Sequence, residues 1–79
     1  MSRASTLSLR LEPWAGADII DCAIQAIAIA GFLPVDVVFN FNGIEVHVFG
    51  DDTAADVAEG YRAALKNGKT FCFATARHA

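Results

Sequence analysis

Two short segments of the chain alternate apolar and polar residues with the period of a β-strand. Over residues 6–11 every second residue is a leucine, which predicts a half-buried strand. Near the other end of the chain, a shorter alternating run predicts another strand, with Phe71 and Phe73 pointing into the core and Cys72 and Ala74 pointing outward.

A β-hairpin is predicted in the middle of the chain. Asn42-Gly43, the dipeptide typical of a type I′ turn, lies between two runs rich in β-branched and aromatic residues. A two-residue turn fixes the register of the two strands. The predicted pairs on the apolar face are Phe41 with Ile44, Phe39 with Val46, and Val37 with Val48. The predicted pairs on the other face are Asn40 with Glu45, Val38 with His47, and Asp36 with Phe49.

Two helices flank this hairpin along the chain. For the first helix, Pro13 suits the first turn, Asp18 offers an alternative start, and Gly31 fits the left-handed position beyond the C-terminus. The second helix starts at Thr53, with Asp56 as the capping partner three residues later.

The predicted elements follow one another in the order βαββαβ within a single α+β domain, residues 1–79. A central hairpin combined with right-handed crossovers leads to the ferredoxin-like sandwich. We therefore expect a four-stranded antiparallel sheet in the spatial order 4-1-3-2, with both helices on one face. An αββα core without the first or the last strand is the alternative.

The first helix offers water less polar surface than a surface helix normally does. One broad apolar face, which we expect to pack on the sheet, comprises Ile19, Ile20, Ala23, Ile24 and Ile27. A narrow polar stripe comprises Asp18, Asp21 and Gln25. The apolar flank beside this stripe comprises Cys22, Ala26, Ile29 and Leu33, with Trp14 and Phe32 close by. Two interpretations of this flank stay open: the fold buries it unaided, or another molecule covers it.

Acidic and basic residues are segregated along the chain. The protein has nine acidic and six basic residues, for a net charge of −3. All nine acids lie within residues 12–59, where no lysine or arginine occurs. Because residues that are near in sequence tend to be near in space, we expect a charge-polarised surface.

The sequence does not indicate an enzyme. It contains no glycine-rich phosphate loop, and its cysteines and histidines lack paired metal-ligand spacing, so we expect no cofactor and no metal. In the predicted sheet, Cys72, Ser8 and His47 would share the face without helices. A cysteine or serine beside a histidine can act as the nucleophile in covalent catalysis. A flat sheet, however, supplies neither a pocket nor oxyanion donors.

Nucleic acid and membranes are also unexpected as direct partners. Only Phe49 on the predicted outer face could stack on a base, and the acids nearby repel phosphate. The longest apolar tract, residues 22–33, is shorter than a membrane span, and the N-terminal segment lacks the apolar run of a signal peptide. We therefore expect a cytoplasmic protein.

The short length, the acidic bias and the alanine- and glycine-rich composition resemble those of bacteriophage-encoded accessory proteins, particularly the anti-CRISPR proteins. The resemblance covers the whole chain in length and composition, and no residue motif carries it. It implies an inhibitor, active in the cytoplasm of the bacterial host, that binds a larger protein or ribonucleoprotein complex. A type I CRISPR surveillance complex is the suggested target, and an acidic surface would be steered to its nucleic-acid groove and block access.

The residues expected to contact such a partner are mostly acidic. They are Asp18, Asp21, Gln25, Asp36, Glu45, Asp51, Asp52, Asp56, Glu59, Trp14 and Ile29. The alternative function is a homo-oligomeric ferredoxin-like regulatory or small-ligand-binding domain, with the apolar flank of the first helix as the interface of a homodimer.

Overall fold

The computed structural model describes residues 7–33 and 35–75. Its elements are β1 (Ser8–Leu11), α1 (Ile19–Phe32), β2 (Asp36–Phe41), β3 (Ile44–Val48), α2 (Ala54–Lys66) and β4 (Phe71–Cys72). The predicted element order βαββαβ and the α+β class are confirmed. Thr6, the predicted start of the first strand, lies outside the described residues.

The sheet is mixed, with its strands in the spatial order β1-β2-β3-β4. β1 runs parallel to β2, β2 antiparallel to β3, and β3 parallel to β4. The predicted antiparallel sheet in the order 4-1-3-2 is therefore wrong. Both orders contain the hairpin of β2 and β3. The predicted order places β1 beside β3, whereas the structure places it beside β2. The alternation of apolar and polar residues does not determine which edge of the hairpin β1 joins.

The predicted hairpin is confirmed in turn type and register. Asn42 has φ 53° and Gly43 has φ 83°, the two left-handed residues that a type I′ turn requires. Five of the six predicted pairs form, from Phe41 opposite Ile44 to Val37 opposite Val48. The sixth pair falls beyond the end of β3.

Both helices pack on the apolar face of the hairpin. The buried core joins Ala23 and Ala26 of α1 and Val57, Tyr61 and Ala64 of α2 to the inward side chains of β2 and β3. Phe41 meets the Tyr61 ring edge-on at 5.3 Å between centroids. The opposite face of the sheet, called the outer face below, carries no helix.

α1 begins at the alternative start. Asp18 is the N-cap residue, and its Oδ2 accepts a hydrogen bond from the backbone N–H of Ile20 at 3.0 Å. The prediction that Gly31 follows the helix is wrong, because Gly31 lies in the last turn and Leu33 is the C-cap. Gly31 instead contacts Gly50 in the loop after β3. Two residues without side chains let this loop pass close to the helix backbone.

α1 is also rotated about its axis relative to the prediction. Ala23 and Ala26 are fully buried and Ile29 packs against the core, whereas Ile24, predicted to face the sheet, is 52% exposed. At 100° per residue this rotation amounts to about 60°. Alanines rather than isoleucines face the centre because α1 packs against both the sheet and α2, and small side chains allow that close approach.

The strand β4 presents the opposite face from the predicted one. Cys72 and Ala74 are buried, whereas Phe71 and Phe73 are 53% and 39% exposed. The reason lies in α2, where Gly60 packs so closely on the backbone carbonyl of Phe73 that a Cβ would collide with it. Only small side chains, such as those of Cys72 and Ala74, fit between α2 and residues 72–74.

Candidate protein-binding site

The segment between β1 and α1 forms one wall of a groove. A turn follows Pro13, in which the backbone N–H of Ala17 donates to the carbonyl of Trp14 at 3.0 Å. Gly16, with φ 83°, occupies the third position of this turn, a conformation that residues with a Cβ rarely adopt. The turn holds Trp14 beside the N-terminus of α1, where the side chain is 88% exposed.

The first two turns of α1 form the other wall. The groove has a volume of about 320 Å³, and we call it the Trp14 groove. Its lining residues are Glu12, Pro13, Trp14, Ala17, Asp18, Asp21, Cys22 and Gln25. Three carboxylates contribute to this lining, and none of the described lining residues is a lysine or an arginine.

The Trp14 groove is electronegative. Burial raises the pKa of the Cys22 thiol, and the carboxylates of Asp21 and Asp18 raise it further. The thiol is therefore protonated at neutral pH and a poor nucleophile. The two aspartates lie at the N-terminus of α1, where the helix dipole stabilises negative charge. The N-terminus of α1 thus stabilises the negative charge of two of the three carboxylates that line the groove.

The structure brings together four of the predicted partner-binding residues in the Trp14 groove: Trp14, Asp18, Asp21 and Gln25. Sequence reasoning missed Glu12 and Cys22 as members of this site. The sequence signal that could have revealed the site is the short spacing of Glu12, Asp18 and Asp21 around Trp14. Ile29 does not line the groove; it packs against the core and borders a neighbouring cavity of about 210 Å³.

The predicted acidic residues of the β3–α2 loop and of the first turns of α2 form a separate group, which comprises Asp51, Asp52, Asp56 and Glu59. Asp52 Oδ2 accepts a hydrogen bond from the backbone N–H of Phe49 at 2.9 Å. The Thr75 hydroxyl lies 3.3 Å from Asp56 Oδ1 and 3.5 Å from Glu59 Oε1.

The two acidic groups lie at opposite ends of α1. The loop carrying Asp51 and Asp52 follows Gly50, which contacts the C-terminal turn of α1 at Gly31, whereas the Trp14 groove lies at the N-terminus. A helix of 14 residues spans about 20 Å. Asp36, at the start of β2, also follows the C-terminal end of α1. The acids therefore do not form one continuous flank.

Glu45 lies on the outer face, away from both groups. Its Oε2 accepts a hydrogen bond from Arg10 Nη2 at 2.8 Å, and its Oε1 lies 3.3 Å from His47 Nε2. The hydrogen bond and the charge of Arg10 lower the pKa of the Glu45 carboxyl. Arg10 thus balances the charge of Glu45, and this carboxylate adds little to an acidic docking surface.

The predicted grouping of Cys72, Ser8 and His47 on one face does not form. Cys72 faces the helices, and burial raises the pKa of its thiol to about 11. His47 lies on the outer face, where its ring stacks on Phe73 with 4.9 Å between centroids. Among residues 7–33 and 35–75, no three His, Cys, Asp or Glu side chains are grouped so as to hold a metal ion.

None of the helices in the described part of the chain has the length and apolar character needed to cross a membrane. No family model matches the chain, and neither a curated protein nor a solved structure is significantly similar to it. Evidence about what the protein does therefore comes from its own residues and their arrangement.

Proposed function

We propose that the protein is a small non-enzymatic inhibitor that binds a basic surface of a larger bacterial protein or ribonucleoprotein complex through the Trp14 groove. The observation that carries this proposal is the pairing of an exposed indole with three carboxylates in one groove. An aromatic face attracts the cation of an arginine or lysine side chain, and carboxylates bind the same cation through charge-assisted hydrogen bonds.

Trp14 supports a binding role more strongly than a folding role. Its side chain is almost fully exposed, so it adds little apolar burial to the stability of the fold. Tryptophan is also among the residues that dominate the energy of protein interfaces. Covering this indole with a partner would bury the largest side chain that the fold leaves in water.

The proposed target is a basic groove that holds nucleic acid, such as the groove of a type I CRISPR surveillance complex in the bacterial cytoplasm. The resemblance in length and composition to phage-encoded anti-CRISPR proteins points to this class of target. A protein that occupies the arginine and lysine side chains of such a groove competes with the phosphate backbone for them. The net charge of −3 favours the encounter, which added salt should slow.

The experiment measures binding of purified protein to an immobilised type I surveillance complex. Trp14→Ala removes the indole, and Asp18→Asn with Asp21→Asn removes two charges while asparagine keeps the N-cap. We expect each change to weaken binding by about tenfold or more. The matched control, Asp56→Asn with Glu59→Gln, removes the same charge from the other acidic group and should weaken binding by less than about threefold.

Two results would refute the proposal. If the groove variants and the control bind equally well, the Trp14 groove is not the binding site. If the wild-type protein fails to bind the complex and fails to prevent it from binding its DNA target, the proposed target is wrong.

A further inference from the structure

The cavity of about 210 Å³ beside the Trp14 groove adjoins it, and we call it the Ile29 cavity. Its lining residues are Leu11, Glu12, Pro13, Cys22, Gln25, Ile29 and Phe39. Four of them also line the Trp14 groove: Glu12, Pro13, Cys22 and Gln25. Because the groove and the cavity share these residues, a single bound segment can reach both.

The Ile29 cavity lies where the helix layer stops short of the edge of the sheet. β1 is an edge strand, and α1 packs mainly on β2, β3 and α2. Leu11 at the end of β1 and Ile29 in α1 are partly buried, and the cavity between them reaches Phe39 of the core. An apolar side chain placed there would extend the core of the protein.

The groove and the cavity differ in charge. The Trp14 groove has three carboxylates beside the indole, whereas Glu12 is the one charged residue among the described residues that line the Ile29 cavity. Most of the other cavity residues are apolar, namely Leu11, Pro13, Ile29 and Phe39. The groove therefore suits a cation, and the cavity suits an aliphatic side chain.

We propose that the Trp14 groove and the Ile29 cavity together bind one extended segment of the partner, which places a basic side chain in the groove and an aliphatic side chain in the cavity. This inference rests on the function proposed above and adds the chemistry of the segment that is recognised. It makes recognition more selective than charge alone, because a basic residue without the apolar neighbour would leave the cavity empty.

The spacing of the two side chains follows from α1. Its residues in the groove are Asp18, Asp21, Cys22 and Gln25, and those in the cavity are Cys22, Gln25 and Ile29. The cavity thus lies about one helical turn, or about 5.4 Å, further along α1. In an extended segment, side chains two residues apart point to the same side and lie about 6.6 Å from each other. We therefore expect the basic and the aliphatic residue to be separated by one residue.

Charge complementarity selects this occupant over a purely apolar one. An apolar segment would cover the carboxylates of the groove and give them no partner, which costs free energy. A guanidinium donates to carboxylates and also stacks on an aromatic ring. Asp18 can take part although it caps α1, because only its Oδ2 accepts the N–H of Ile20 and a carboxylate has about four acceptor positions.

The test uses capped tripeptides of arginine, glycine and leucine, with the arginine at either end. Trp14 is the only tryptophan of the chain, so its fluorescence reports occupation of the groove. The comparison peptides carry alanine in place of leucine, or glutamine in place of arginine. We expect the leucine peptide, in its better order, to bind about fivefold or more tightly than its alanine counterpart. The glutamine peptide should bind about tenfold or more weakly than the arginine peptide.

Protein variants assign these preferences to the groove and the cavity. Leu11→Ala removes part of the cavity lining and should reduce the preference for leucine to less than about twofold. The matched control, Leu65→Ala, alters a leucine that lines neither the groove nor the cavity and should keep the full preference. Asp18→Asn with Asp21→Asn should weaken the leucine and alanine peptides equally. Circular dichroism identifies a variant that fails to fold, and the peptide comparison on the wild-type chain then decides.

The inference and the proposed function fail in different ways. Equal binding of the leucine and alanine peptides, in both orders, overturns the inference and leaves a groove that binds cations. If no arginine peptide binds at up to about 10 mM, the inference is also wrong. In that case the proposed function still stands if the surveillance complex binds the wild-type protein and not Trp14→Ala.

Discussion

The contact between Gly31 and Gly50 predicts opposite effects for two alanine substitutions at the same place. A Cβ on Gly50 would lie 2.7 Å from Gly31 Cα, 3.0 Å from Gly31 N and 3.3 Å from the carbonyl carbon of Ala30. These are backbone atoms of α1, which cannot turn aside as a flexible side chain can. A Cβ on Gly31 would lie 3.8 Å from Gly50 Cα, an ordinary van der Waals distance.

The magnitudes follow from these distances. Gly50→Ala must push the loop and α1 apart by several tenths of an ångström, and overpacking of this kind costs about 1–3 kcal/mol. Gly31→Ala adds a methyl group within a helix, which favours folding by up to about 1 kcal/mol. Because Gly31 lies in the last turn, we expect a gain of about 0.5 kcal/mol. The two substitutions should therefore differ by roughly 2–3 kcal/mol in the free energy of unfolding.

Urea unfolding followed by far-ultraviolet circular dichroism measures both variants. Protein concentration must be held equal, because self-association would stabilise the folded chain by mass action. In a domain of this size 1 kcal/mol shifts the Tm by about 4–8 °C, so Gly50→Ala should melt clearly below the wild-type chain and Gly31→Ala slightly above it. The dependence of the free energy on urea should be unchanged.

One result would refute this reasoning. If Gly50→Ala lowers the free energy of unfolding by less than about 0.5 kcal/mol, its Cβ finds room that the contact does not provide. The same conclusion follows if both alanine variants are stabilised to the same extent.

Three further predictions concern a buried thiol, the hairpin turn and a helix cap. Burial raises the pKa of Cys72 from 9.0 to about 11, so the unfolded chain ionises first as pH rises. The free energy of unfolding should therefore fall between about pH 9 and 11 by up to roughly 2–3 kcal/mol more in the wild-type chain than in Cys72→Ala; parallel pH profiles would contradict this. Asn42→Gly keeps the left-handed turn but loses the 2.8 Å hydrogen bond from the Asn42 amide to the Tyr61 hydroxyl, and urea unfolding should show a loss of about 1 kcal/mol. Asn42→Ala should cost about 1 kcal/mol more, because alanine disfavours this backbone conformation; equal losses would exclude the backbone contribution. Thr53→Ala removes the hydroxyl that accepts the N–H of Asp56 and should cost about 1 kcal/mol in thermal unfolding, whereas Thr53→Ser should be nearly neutral.

The hairpin and the N-cap of α2 could be predicted, and the N-cap of α1 was the alternative start at Asp18, because the interactions that form them are local. Asn42 and Gly43 occupy a turn that few other dipeptides enter, and a two-residue turn leaves one register for the flanking strands. Asp18 and Thr53 each accept an N–H from two or three residues further along the chain. No distant residue is needed for any of these features.

The orientation of the last strand could not be predicted in the same way. Alternation over so short a strand suits either face, and the contact of Gly60 with the Phe73 backbone decides which side chains point inward. The rotation of α1 has a similar origin. Apolar residues surround most of this helix, so its packing against both α2 and the sheet determines which of them are buried.

The sequence by itself determined the order of the elements, the register of the hairpin and the presence of acidic residues on both sides of Trp14. Only the tertiary structure decided the strand order, the exposure of Phe71 and Phe73, and the separation of the Trp14 groove from the acidic residues beyond Gly50, which lie at the other end of α1. The physical reason is the range of the interactions. Turns and caps depend on neighbours in the chain, whereas sheet edges, helix rotation and groove walls depend on contacts between residues far apart in sequence.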